Sequence, residues 1–206
     1  MLRQSNKPFA KRVFILLAQT LRIAFYKYIS DCKTNGSAIQ HQPVYRVGSG
    51  YIDFRGTVNI GYFPSPYYLN GCCYIEARNE SARITINDGT WINNNFVAIS
   101  EYMSITIGKN VLIGTCVEIY DSNFHGLEPD KRKISSSINC AEVIIEDNVF
   151  IGSNVKILKG VTIGKNSVVA NGSIVTKDIP ANVISGGNPA RTLKNLNDIQ
   201  TKSLND

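Results

Sequence analysis

The stretch IEDNVFIGSNVKILKGVTIGKNSVVANGSIVTKDIPA, residues 145–181, decides the fold. Every sixth residue is the inward aliphatic position and reads Ile145, Ile151, Ile157, Ile163, Val169, Val175 and Ala181. Three residues after each of the first six stand Asn148, Asn154, Gly160, Asn166, Gly172 and Asp178, types that tolerate a left-handed backbone at a corner. Four residues after come Val149, Val155, Val161, Ser167, Ser173 and Ile179, all small or β-branched. A period of six suits neither an amphipathic helix nor a long alternating strand, because a corner recurs before either could run on. It suits short strands wound into a solenoid.

The expected object is a triangular prism in which each hexapeptide makes one side and three complete a coil. Successive coils then pair through the backbone about 4.8 Å apart, along the prism axis. Upstream the same register holds at Ile107, Ile113 and Ile119, and less regularly at Ile86 and Ile92, where Gly89 and Asn95 take the corner position. The intervals from Ile92 to Ile107 and from Ile119 to Ile145 are not multiples of six, so chain bulges from the prism at both places. Residues 45–83 read as irregular early coils, with Pro64 and Pro66 marking a turn or loop. Past Ala181 the repeat stops at Gly186, Gly187, Asn188 and Pro189. This divides the chain into a helix with a polar connection over residues 1–42, the prism over 43–190 with a loop at 121–142, and a tail over 191–206. The tail, with Leu193 and Leu196, reads as a short helix folded over the prism end, and its last ten residues as disordered.

Length and composition agree with one such unit: 206 residues and 43% hydrophobic content supply a core. A net charge of +6 invites a nucleic-acid reading, but no run of basic residues alternates with aromatics. Anionic small molecules or lipid headgroups suit the charge better. Five cysteines, an odd number that includes the adjacent Cys72 and Cys73, make a poor disulfide framework, and no CxxC pair suggests zinc. A reducing cytoplasm is the simplest compartment.

Near the N-terminus, Lys7, Lys11 and Arg12 precede an apolar run from Val13 to Ala18, but Arg22 and Lys27 interrupt any longer one and no small-residue cleavage pattern follows. The pattern predicts a helix over residues 8–29 with a stripe of Val13, Leu16, Leu17, Leu21, Phe25 and Tyr28. The favoured reading packs that stripe on the prism or on another subunit. A second reading lays the helix on the inner face of an anionic membrane, with Lys7, Lys11, Arg12, Arg22 and Lys27 toward headgroups.

The chemistry centres on the loop at 121–142, which carries His125, one of only two histidines. A loop on a rigid scaffold is a usual place for catalysis, and imidazole suits proton transfer near neutral pH. His41, in the polar connection, reads as structural or solvated. Asp121 and Glu128 are the nearby carboxylates that could orient the imidazole.

The strings ITIGKNVLIG, HGLEPDKRK, NVFIGSNVKILKGVTIGKNSVV, GSIVTKDIP and GGNPAR, within residues 105–194, resemble the hexapeptide-repeat acyltransferases, especially the galactoside, maltose and surface-polysaccharide O-acetyltransferases. The resemblance implies a mainly β chain folded as a left-handed parallel β-helix and a homotrimer with sites between neighbouring prisms. It also implies acetyl-CoA as co-substrate with no metal required. The histidine matching His125 is then general base toward a sugar hydroxyl, and the backbone N–H matching Ser153 supports the oxyanion. Ser153, Asn171, Thr176 and Lys177 fall on positions lining the coenzyme arm and its phosphates, and Arg191 and Lys194 on positions reaching the nucleotide phosphates. Asn94 matches an acceptor-facing asparagine, with Trp91 beside it to stack on a sugar. Cys116 and Cys140 are bystanders. Two departures stand out: Phe150 replaces the usual tryptophan, and Asn171 replaces a small alanine.

The leading reading is O-acetylation of a glycan unit or its lipid-linked precursor in polysaccharide biosynthesis. A variant is N-acetylation of a nucleotide-linked amino sugar, although no glycine-rich βαβ signal is visible. A metal-dependent carbonic anhydrase on the same prism needs three histidine ligands, and this chain has two. A non-catalytic solenoid scaffold is the remaining reading.

Overall fold

A computed structural model describes residues 9–134 and 138–198. Helix α1 (Phe9–Ile29) is the first element among the described residues. Six coils follow among the described residues. They are β1 (Lys33–Asn35), β2 (Ala38–Gln40) and β3 (Val44–Val47); β4 (Tyr51–Phe54), β5 (Val58–Ile60) and β6 (Cys73–Ala77); β7 (Arg83–Ile86), β8 (Trp91–Ile92) and β9 (Val97–Ser100); β10 (Ser104–Ile107), β11 (Leu112–Ile113) and β12 (Glu118–Tyr120); β13 (Val143–Ile145), β14 (Phe150–Ile151) and β15 (Lys156–Ile157); and β16 (Thr162–Ile163), β17 (Val168–Val169) and β18 (Ile174–Val175). Strands β19 (Val183–Gly187) and β20 (Ala190–Asn195) end the prism. The first, second and third strands of successive coils stack into three parallel sheets, here sheets A, B and C; β19 and β20 extend sheet B.

Inward side chains stack in single file. Phe54, Ile86, Ile107, Ile145 and Ile163 are register partners down sheet A; Ile60, Ile92, Ile113, Ile151 and Val169 down sheet B. All are buried. The corners explain the other two classes of the repeat. Asn148, Asn154, Gly160, Asn166 and Gly172 have φ between 59° and 76°, the left-handed region. The next residue turns inward: Val149, Val155, Val161, Ser167 and Ser173 are buried, and the two serine hydroxyls donate to the corner carbonyls of Gly164 and Ala170. One edge carries an asparagine ladder in which Asn148 Nδ2 donates to Asn166 Oδ1 and Asn166 Nδ2 to Asn182 Oδ1.

Four expectations change. First, the prism begins at Lys33, so the residues read as a polar connection up to 42 are the first two strands of a coil; their alternation was too short and too polar to register. Second, Ala181 is exposed. The last coil shortens by two residues, Ile179 bridges Ile163, and the Ala181 backbone stacks on Gly164. Third, residues 190–195 are a strand, not a helix: β20 pairs antiparallel with β19 and covers the sheet edge that the last coil would leave open. Of the ten residues expected to be disordered, all but Asn197 and Asp198 lie outside the described residues, as does Lys7.

The fourth change concerns α1. It packs on β3 and on the loop at 61–72, not through the apolar stripe but through a partly buried face that includes Ala18, Gln19, Arg22, Ile23 and Tyr26. Gln19 Nε2 donates to the carbonyls of His41 and Tyr68, and the Arg22 guanidinium to that of Gly71 at 2.6 Å. Tyr26 starts an edge-on aromatic series with Tyr45 and Tyr74 along the outer face of sheet C.

Candidate active site

The two longest insertions among the described residues leave the prism at different edges. Residues 61–72 join β5 to β6 at the edge between sheets B and C; residues 121–142 join β12 to β13 at the edge between sheets C and A. The second is pinned at its base. Ser122 bridges Cys140, Asn123 N–H donates to Asn139 O, and Ala141 N–H to Asp121 O. Phe124 adopts φ 60°, and its ring lies under the Arg78 guanidinium at 5.1 Å and edge-on to Tyr120. That clamp fixes the residue next to it, His125, which is exposed.

His125 Nδ1 lies 3.0 Å from the carbonyl oxygen of Arg132. A carbonyl only accepts, so Nδ1 is the donor, and in the neutral ring that tautomer puts the lone pair on Nε2. A cavity of about 480 Å³ opens here, lined by Phe124, His125, Arg132, Lys133, Ile134 and Ile138. Neither carboxylate considered from the sequence orients the ring. Asp121 is fully buried and accepts from the backbone N–H groups of Glu101, Tyr102 and Met103 and from Ser100 Oγ, which holds the turn after β9. Glu128 pairs with Lys131 instead. Arg132, the residue that does the orienting, gives no sequence signal because it acts through its backbone.

At the B–C edge the Ser153 N–H is already occupied. It donates to Asn171 Oδ1 at 2.8 Å, while Ser153 Oγ accepts from Thr115 N–H at 3.2 Å. The same device, a side-chain oxygen of one coil capping an N–H of the coil before, recurs at Asp147 toward Lys109 and at Asp178 toward Thr162. Thr176 and Lys177 are exposed near the C–A edge, and Arg191 and Lys194 are exposed on β20. The expected coenzyme residues are thus spread over two edges and one face of the prism.

Asn94 is the residue expected at the acceptor. It is fully buried, and its amide donates to the carbonyls of Tyr62 and Pro66 while its oxygen accepts from Tyr62 N–H, so it ties down the 61–72 loop. Its neighbour Asn93 is half-buried and lines a cavity of about 350 Å³ with Tyr62, Trp91, Leu112 and Phe150. Trp91 has one face stacked on His41, with ring centroids 5.8 Å apart and planes 4° apart. Its indole N–H is buried without a hydrogen-bond partner among the described residues. Outward positions Trp91, Leu112, Phe150, Val168 and Ile184 are successive register partners on sheet B, an apolar column down that face.

Among ionisable groups near the loop, burial alone would raise the Glu118 carboxyl. The hydrogen bonds from Lys156 and Tyr120 and the Lys156 charge outweigh it and hold the group below the usual carboxylate range. Burial and the Glu118 carboxylate push the Tyr120 phenol well up. No three or more His, Cys, Asp or Glu side chains among the described residues are grouped to hold a metal.

Comparison with known proteins gives one consistent result. A family described as the hexapeptide repeat of succinyl-transferase matches residues 142–177. The chain is 41% identical over 119 residues to the galactoside O-acetyltransferase of Lactococcus lactis, covering 57% of this chain and 56% of that one. It is 39% identical over 95 residues to a 2,3,4,5-tetrahydropyridine-2,6-dicarboxylate N-acetyltransferase of Staphylococcus aureus, covering 46% and 35%. The matches therefore span little more than half of the first relative and about a third of the second. Among solved structures, a hexapeptide-repeat acetyltransferase from Vibrio cholerae aligns at a TM-score of 0.55 with 29% identity, over 89% of this chain and 87% of that one. The triangular coil matches the left-handed parallel β-helix of the hexapeptide-repeat acetyltransferases, and its repeat and these likenesses make the chain similar to that family.

Proposed function

We propose that this chain transfers an acetyl group from acetyl-CoA to a hydroxyl of a sugar, with His125 as general base and a homotrimer completing the site. The observation that carries the reading is the His125 Nδ1 to Arg132 carbonyl bond, which leaves Nε2 free to accept a proton beside an open cavity. In the step proposed, the sugar oxygen attacks the thioester carbonyl carbon as its proton passes to Nε2. The tetrahedral intermediate then collapses, the C–S bond breaks, and the imidazolium returns the proton to the departing thiolate. Acetyl transfer to oxygen is supported by the named activity of the Lactococcus relative. Arg132, Lys133, Lys177, Arg191 and Lys194 are exposed cations suited to the phosphates of a coenzyme.

Placement supports a shared site of the kind a homotrimer has. His125 leaves the C–A edge, whereas Ser153 and Asn171 lie on the B–C edge, and a second prism that sets its B–C edge against this loop would bring them together. The apolar column on sheet B supplies a surface for such contact. Five unpaired thiols suit a cytoplasmic setting. The second reading, transfer to an amine, is favoured by the Staphylococcus relative. Coenzyme A release from acetyl-CoA, measured against sugars and amino sugars for the wild type and His125→Ala, tests the proposal. Loss of turnover with retained acetyl-CoA binding by calorimetry supports it. Equal turnover removes His125 from the mechanism, absence of binding favours a scaffold, and turnover confined to amines selects the second reading.

A further inference from the structure

Helix α1 has two faces that water should not see, and the prism covers one. The covered face is held by polar anchors: Gln19 is 3% exposed, and its amide and the Arg22 guanidinium are hydrogen-bonded to the 61–72 loop. These contacts fix the rotation of the helix about its own axis. Phe14, Leu17, Leu21, Phe25 and Tyr28 recur at three- and four-residue intervals over about four turns and point away from the prism. Leu21 is 72% and Tyr28 88% exposed. At about 100° per residue this stripe is centred roughly 130° from the docked face.

Charge selects the occupant. The sequence of α1 holds Lys11, Arg12, Arg22 and Lys27 and no acidic residue. Arg22 is turned into the prism, so Lys11, Arg12 and Lys27 remain exposed, and helical spacing puts Lys11 and Lys27 on opposite sides of the stripe. A second copy docked through the stripe would offer Lys11 and Lys27 no carboxylate from the facing helix. An anionic bilayer takes both the apolar stripe and the flanking cations. Aromatic side chains at Phe14, Phe25 and Tyr28 suit the interfacial depth. No helix among the described residues is long and apolar enough to cross a membrane, so the helix would lie in the plane.

We propose that α1 is an interfacial anchor that lays the prism on a membrane of anionic lipid through Phe14, Leu17, Leu21, Phe25 and Tyr28. The proposal does not rest on acyl transfer. Its test is co-sedimentation of the full chain with vesicles of equal phosphatidylglycerol and phosphatidylcholine, and with pure phosphatidylcholine. Binding to the anionic vesicles is expected to weaken as salt is added, and about five-fold in Lys27→Ala. The Leu17→Glu/Leu21→Glu double variant changes only exposed positions and is expected to lose at least about tenfold with an unchanged circular dichroism spectrum. Wild-type sedimentation of the double variant would overturn the proposal. So would equal binding to pure phosphatidylcholine. A chain that ignores both vesicles but self-associates in light scattering, and is dispersed by the double variant, would assign the stripe to a second copy.

Discussion

Asn171 Oδ1 accepts the backbone N–H of Ser153 across one coil at 2.8 Å, which plugs the donor proposed to receive the oxyanion. The plug is a side chain, so it can be changed without touching the backbone that carries the donor. Asn171→Ala is expected to raise the rate of acetyl transfer and to cost about 1 kcal/mol of stability. Asn171→Asp, whose carboxylate grips the same N–H more strongly, is expected to lower transfer about tenfold. Steady-state kinetics beside urea melts check both; equal rates in the two variants would separate Ser153 from the chemistry.

His125→Ala is expected to reduce transfer by about two to four orders of magnitude while leaving acetyl-CoA binding nearly intact. Gly126 offers a companion test of positioning. A Cβ there would meet the carbonyl oxygen of Lys131 at 2.5 Å, so Gly126→Ala must displace the turn that brings Arg132 O to the imidazole. Its effect is expected on kcat more than on KM, with folding retained.

The corner geometry predicts a contrast at Asn154, whose φ is 59°. Asn154→Gly is expected to leave stability within about 0.5 kcal/mol, whereas Asn154→Val costs about 1–2 kcal/mol from strain of a β-branched residue in the left-handed region. One side of the prism gives the matching core test: Ile151 is fully buried, and Ile151→Ala is expected to cost about 2–5 kcal/mol in urea unfolding.

Acid should weaken the fold through two carboxylates. The Arg55 hydrogen bond, with help from Asn35, holds the Asp53 carboxyl below its usual range against burial, and Lys156 and Tyr120 do the same for Glu118. A folded value below the unfolded one means stability that is present above about pH 4 and lost as pH falls through the folded values. Asp53→Asn is expected to flatten the acid limb of the stability curve, and at neutral pH to cost about 1 kcal/mol or less because Arg55 is largely exposed. Urea midpoints between pH 7 and pH 3 measure it; an unchanged slope would remove Asp53 from the acid response.

The hexapeptide itself was readable because two demands coincide at each repeat, an inward aliphatic and a corner needing positive φ, and each admits few residue types. His125 was readable as an imidazole on a loop that breaks the register. Its partner was not, since a backbone carbonyl of Arg132 replaces any side-chain signal. Asn94 and Asn93 show the same limit: both are asparagine, and only burial and the hydrogen bonds to Tyr62 and Pro66 separate the one that holds a loop from the one that faces the cavity.

The amino-acid order alone determined the prism, because a six-residue beat of burial and corner strain is a local property written into every turn of chain. What tertiary structure decided were the relations between distant segments: β20 closing the last coil, Asp121 committed to the turn after β9, and α1 docked by Gln19 and Arg22 with its apolar stripe outward. The last two depend on which polar groups find each other across 20 to 49 residues of chain, and the first on a hairpin that starts where the repeat stops; no periodicity encodes such meetings.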